Sequence, residues 1–209
     1  MKTVICADSL EWLPANRNQG AVITSLPEAV ELGMENLQEY GAWFIRAAHA
    51  CFSSSTESCP VIFSQTDKRA GGVWLDKAHL LHGVADSLGY RCLWHKIELR
   101  DEPGTKNLFR PGYRHLIAFG NGTAVGDAAG NLRSEDVIRK SEVLYEDGIG
   151  FAAVEIAVNF CLHYTKKILD PFCGRGTVLF VAERKGAEVT GVDISPVQCM
   201  ASRQQQFLF

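Results

Sequence analysis

Three acids stand where a ligand could be gripped. In the segment KKILDPFCGRGTVLF, Lys166 to Phe180, a short apolar run ends on Asp170, a Gly-x-Gly turn follows at Gly174 and Gly176, and an apolar stretch suited to a helix comes next. Strand, glycine turn and helix in that order make a nucleotide-binding unit, because glycine lets the backbone approach a ligand where a Cβ would collide. Asp193 closes the next apolar run, EVTGVDI, seventeen residues after Gly176. A carboxylate at that place can accept hydrogen bonds from both hydroxyls of a ribose. The third acid, Asp8, ends the run VICAD near the N-terminus. No Gly-Lys-Ser/Thr follows the turn, so it is not a triphosphate loop, and Thr177, Val178 and Leu179 break the G-x-G-x-x-G of a dinucleotide fold.

Short β-rich runs and helical patterns alternate around these acids. Val4–Asp8, Ala21–Ser25, Val61–Gln65, Ile168–Phe172 and Val189–Ile194 read as buried strands. Arg91–Leu99 and His115–Gly120 read as two more, paired at one edge and joined by a polar loop. Leu37–Ser53, Val73–Leu88, the stretch from Phe151 to Leu162, and Pro196–Gln206 read as helices. Seven strands with helices between most of them give an α/β fold, a Rossmann-like doubly wound sheet with helices on both faces. A glycine loop normally follows the first strand of such a sheet, yet here it lies about forty residues from the end of the chain. Joining the last helix to Met1 restores a regular order, so the sequence predicts one circularly permuted domain over 1–209. Its catalytic half covers 1–120 and its cofactor half 150–209, with 121–149 as a flexible connection.

Bulk properties narrow the class. The 209 residues are 46% hydrophobic and 22% charged, which suits a globular domain. A formal net charge of −3 leaves any polyanion-binding surface to a local patch. Seven cysteines without a C-x-x-C pair argue against a disulfide framework and a structural zinc site, and suit an intracellular, reducing setting, cytoplasmic or nuclear. No apolar stretch is long enough for a membrane span.

DPFCGRGT, Asp170 to Thr177, resembles the DPFxGxGT loop of permuted S-adenosylmethionine-dependent amino-methyltransferases, which methylate exocyclic amines of adenine or cytosine. ICADSLEWL resembles their opening strand, and VITSLPE occupies the place of their catalytic motif. The resemblance implies S-adenosyl-L-methionine as cofactor. Phe172, Gly174, Gly176 and Thr177 would line its methionine and ribose end, with Asp170 beneath the loop. Asp193 would hold the ribose diol, and Asp8 the adenine amine unless it is only a surface acid. Phe151 either caps the methionine side or is a core phenylalanine.

The same resemblance places catalysis at Ser25, Leu26, Pro27 and Glu28. The Ser25 side chain and the Leu26 carbonyl would accept the N–H groups of the target amine, and Pro27 would stiffen the turn. The family has an aromatic where this chain has Glu28. Tyr40 or Trp43 could stack on the target instead, Glu28 could accept from a donor-bearing base edge, or the site could bind without catalysing.

Lys106, Arg110 and Arg114, with Tyr113 and Phe109, could hold phosphates and bases, although Glu98, Asp101 and Glu102 dilute the patch into what could be an ordinary solvated loop. His79 and His82 lack further ligands, so no metal is expected. Cys173 reads as a packing residue. The expected substrate is a nucleic acid, RNA slightly ahead of DNA because little chain remains for a recognition module. A homodimer or a partner could supply recognition. The alternatives are an inactive subunit supporting an active partner, and a small-molecule or protein methyltransferase.

Overall fold

Strand β2 (Ala21–Thr24) and strand β3 (Val61–Gln65) are buried along their whole length, as expected of central strands covered on both faces. Val22, Val61 and Phe63 point to one layer, and Ile23 and Ile62 to the other. The computed structural model describes residues 1–70, 72–107, 110–122, 134–145 and 148–205. The remaining strands of the main sheet are β1 (Lys2–Cys6), β6 (Arg91–Leu99), β7 (Tyr113–Gly120), β8 (Val137–Ile138), β9 (Lys167–Asp170) and β10 (Glu188–Asp193). The helices are α1 (Ser9–Ala15), α2 (Leu37–Ser54), α3 (Lys77–Ser87), α4 (Phe151–Leu162), α5 (Thr177–Arg184) and α6 (Pro196–Gln204).

The sheet order is β1-β10-β9-β2-β3-β7-β6-β8. The first five are parallel, and β7 runs antiparallel to both β3 and β6. The antiparallel pair lies toward one edge as expected, but β8 adds an eighth strand beside β6. β8 belongs to the segment read as a flexible connection. Its Ile138 is buried, and Val143 bridges to Gly150, so the described residues 134–145 are anchored to the domain at those two points.

A separate hairpin, β4 (Lys68–Ala70) with β5 (Val73–Leu75), corrects one helix boundary. The helix expected from Val73 begins at Lys77, because the first three residues pair as a strand and Asp76 caps the helix by accepting the His79 N–H at 2.8 Å. α1 escaped the sequence reading, being seven residues long with Pro14 inside it.

α2 covers one face with Tyr40, Phe44, Ala47, Cys51 and Phe52, and α4 and α5 cover the other. The helix after β9 therefore leaves on the face opposite to the helix after β2. Neighbouring strands whose connections diverge in this way open a crevice at their C-terminal ends. Asp170, at the end of β9, and Ser25, just beyond β2, both line it.

Candidate active site

A cleft of about 940 Å³ occupies this crevice. Its first wall carries the three acids. Asp170 is buried, and its Oδ1 accepts from the Thr24 hydroxyl at 2.8 Å and the Phe172 amide at 3.2 Å. Burial pushes its carboxyl up to about 7 despite those two hydrogen bonds. Asp193 Oδ2 accepts the Gly174 amide at 2.9 Å while Oδ1 accepts the Ser195 amide at 2.8 Å, tying the glycine loop to the end of β10. A carboxylate offers about four acceptor positions, so capacity remains for a diol. Asp8 lies two residues beyond β1 and caps α1 through Oδ1, which accepts the Leu10 amide at 2.8 Å.

The two glycines have different reasons. Gly174, at φ +49°, lines the cleft. Gly176, at φ +87°, does not line it; a Cβ there would run into Ser202 of α6, so its smallness serves packing. Cys173 is buried, and burial raises its thiol, in keeping with a packing role. Phe172 and Thr177 line the cleft. Phe151 lies outside its lining, with its ring 6.3 Å from that of Phe180.

Two buried polar atoms in this wall lack a hydrogen-bond partner, Thr177 Oγ1 and Gln198 Oε1. Both residues line the cleft. Buried orphan acceptors and carboxylates around an apolar Phe172 suit a ligand that carries hydroxyls, an amine and a positive charge. S-adenosylmethionine has that donor set, and the residues present fit it.

The second wall holds the Ser25–Glu28 turn, all four residues of which line the cleft. Leu26 is buried, and the Tyr40 hydroxyl donates to the Pro27 carbonyl at 2.9 Å. Tyr40 is itself fully buried and stacks on Trp43, which lines the cleft and meets Phe172 edge-on at 6.0 Å. Burial, with Glu28 and Glu31 nearby, raises the Tyr40 phenol. Of the two aromatics expected to replace the missing one, the structure brings only Trp43 to the cleft.

Glu28 Oε1 lies 2.6 Å from the Nζ of Lys77, whose side chain is fully buried. Burial lowers the Lys77 ammonium against the opposing pull of Glu28. Asp67 also lines the cleft. It accepts the Lys77 amide at 2.9 Å, and a His115 nitrogen lies 3.1 Å from its Oδ2. Burial works to raise the Asp67 carboxyl, but the His115 hydrogen bond and the Lys77 amide outweigh it and leave it low. Sequence reading missed both Lys77 and Tyr145. Tyr145 lines the cleft beneath Arg175, 5.5 Å from its ring, and burial pushes its phenol up to about 12. Lys77 carried no local signal, being forty-nine positions from Glu28.

The expected phosphate patch divides. Arg110 and Arg114 line the cleft, whereas Lys106 and Tyr113 do not. Arg114 is buried, donates to the Gly148 carbonyl at 3.0 Å and lies 3.5 Å from Glu98. Tyr113 meets His115 edge-on at 5.3 Å. Phe109 lies outside the described residues. Among the described residues no group of His, Cys, Asp and Glu could hold a metal, and no helix is long and apolar enough to cross a membrane.

No protein-family model and no curated protein matches the chain. Solved structures do. PvuII DNA methyltransferase, a cytosine-N4-specific enzyme, superposes with a TM-score of 0.77 at 16% identity, covering 100% of this chain and 88% of that one. The chain shares its fold with a DNA methyltransferase. TTHA0409 of Thermus thermophilus, a putative DNA modification methylase complexed with S-adenosyl-L-methionine, gives a TM-score of 0.73 at 16% identity over 98% of this chain and 92% of that one. The M1.HpyAVI–SAM complex gives 0.64 at 12% identity over 98% of both. The expected Rossmann-like architecture is therefore borne out.

Proposed function

We propose that the protein is an S-adenosylmethionine-dependent methyltransferase acting on an exocyclic amine of a nucleic-acid base. The observation that carries this reading is the convergence of Asp8, Asp170 and Asp193 around a glycine loop, in the same cleft as the Ser25–Glu28 turn. Two of the structurally similar proteins hold S-adenosylmethionine, and a third is a cytosine-N4 enzyme. Counted from β9, the first five strands of the sheet follow the doubly wound order 3-2-1-4-5, which supports a circular permutation.

Asp193 would hold the ribose diol and Asp8 the adenine amine, while Phe172, Gly174 and Thr177 would shape the methionine end. The bound cofactor would supply an electrophilic methyl group on a sulfonium. Ser25 Oγ and the Leu26 carbonyl accept the two N–H groups of the target amine and turn its lone pair toward the acid wall. Pro27, held by Tyr40, keeps those acceptors from drifting. Such catalysis rests on orientation and fixed dipoles rather than a strong base. Arg110 adds positive charge to the cleft lining, while the Arg114 charge is offset by Glu98, and Trp43 offers a face for the flipped base.

DNA is the first substrate to test, since a DNA enzyme shares nearly the whole fold. Recognition by a second copy or a partner remains part of the proposal. The experiment is transfer of a tritiated methyl from S-adenosylmethionine to single- and double-stranded DNA and to RNA. Label in any of these supports the reading. Cofactor binding without transfer would favour the inactive-subunit reading, for which Glu28 in place of an aromatic is the supporting observation.

A further inference from the structure

Lys77 is the least expected side chain in the molecule. Its ammonium is fully buried under α2, 5.3 Å from the ring centre of Tyr40 and 5.7 Å from that of Phe44. Removing such a charge from water costs several kcal/mol unless a partner compensates it. The partner is Glu28, at 2.6 Å, and Glu28 is not buried with it: its side chain remains 35% exposed and lines the cleft. The pair thus has one end locked in the protein and the other presented to the site.

The lock extends further. The Lys77 backbone amide is held by Asp67, and the Glu28 amide donates to Glu31 at 2.6 Å. Both flanks of the ion pair are tied to residues of the cleft wall. A carboxylate at this place is a poor face for a neutral π-system and a strong acceptor for N–H groups. Ser25 and the Leu26 carbonyl, on the reading above, already take the two hydrogens of the target amine. An added anionic acceptor beside them calls for a further donor on the substrate.

We propose that Lys77 is a positioning residue that fixes Glu28 in the cleft, and that Glu28 selects a base whose reacting amine lies next to a ring N–H, the edge that guanine presents. Cytosine and adenine place an unprotonated ring nitrogen there, and its lone pair would oppose the carboxylate. This inference rests on the methyltransferase reading. It explains why the turn carries Glu28 where a stacking aromatic would otherwise stand, and leaves stacking to Trp43.

The test uses the full chain, S-adenosylmethionine, and oligothymidylates carrying one central guanine, cytosine or adenine, because thymine has no exocyclic amine. The wild type should methylate the guanine oligonucleotide with a kcat/KM about tenfold above the others. Glu28→Gln, whose amide both donates and accepts, should bring the three within about twofold of one another. Lys77→Met should show the same loss of discrimination, with KM for the guanine substrate rising more than kcat falls, and Lys77→Arg should restore part of it. Lys77→Met leaves Glu28 without its partner, but Glu28 is 35% exposed and can be hydrated; urea unfolding of each variant shows whether it folds, and Lys77→Arg, which keeps the charge, carries the test if Lys77→Met does not. Calorimetric affinity for S-adenosylmethionine should be unchanged in all three variants. Wild-type preference for cytosine or adenine, or discrimination that survives Lys77→Met, would overturn the proposal while leaving the methyltransferase reading intact. Absence of cofactor binding by the wild type would remove that reading and this proposal with it.

Discussion

Along the β10–β9 side of the cleft, the three acids are held mainly by backbone amides close in sequence: Asp8 by Leu10, Asp170 by Phe172, and Asp193 by Ser195 and Gly174, the last nineteen positions away. Along the β2–β3 side the partners are far apart. Glu28 meets Lys77 across forty-nine positions, Asp67 meets His115 across forty-eight, and Pro27 is held by the Tyr40 hydroxyl across thirteen. The first wall is a local motif built on turn geometry. The second is an assembly of side chains that exists only once α2, α3 and β7 have packed. The two walls should therefore fail differently when damaged.

The largest effect is expected on the acid wall. Asp193→Ala removes the candidate diol acceptor and the staple to the Gly174 amide together. Hydrogen bonds to a charged group contribute about 1.5–3 kcal/mol each, so affinity for S-adenosylmethionine should fall about 1,000-fold in calorimetry. A loss under about tenfold would break the assignment of that wall to the cofactor.

Asp170 gives a pH signature to the same wall. Burial raises its folded carboxyl from an ordinary 3.8 to about 7, so its contribution to stability is fully present below the unfolded value and is lost as pH rises toward 7. Asp170→Asn keeps an oxygen for Thr24 and Phe172 and abolishes the titration. In urea unfolding of the cofactor-free protein, the wild type should lose about 4 kcal/mol relative to the variant between about pH 4 and pH 8. A difference that stays flat with pH would contradict a carboxyl shifted by burial.

Gly176→Ala tests packing rather than binding. A left-handed backbone and the collision with Ser202 should together destabilise the fold by about 2 kcal/mol, read as a lowered urea midpoint. Tyr40→Phe, on the other wall, should be the mildest. Losing the hydrogen bond to Pro27 costs about 1 kcal/mol, expected in kcat and not in cofactor affinity. If Tyr40→Phe weakened cofactor binding instead, the separation of the two walls would be wrong.

This contrast also explains what the sequence disclosed. The strand–glycine–helix unit around Asp170 and the acid at Asp193 were legible because local order of residue types determines that geometry. The parallel strands were legible as continuous apolar runs. Val73–Leu75 was misread as helix because its apolar spacing continues into α3, and only pairing with Lys68–Ala70 makes it a strand. Tyr145 and Lys77 were invisible because nothing near them in sequence marks their partners. Arg114 looked like a phosphate ligand until the pairing of β6 with β7 set Glu98 beside it, and the chain leading into α4 supplied the Gly148 carbonyl.

The most direct measurement is calorimetric titration of the wild-type protein with S-adenosylmethionine. One-to-one binding in the micromolar range is the result predicted from the acid wall, with its orphan Thr177 and Gln198 oxygens. A wild-type protein that folds and releases no binding heat at any temperature tried would contradict the account at its centre.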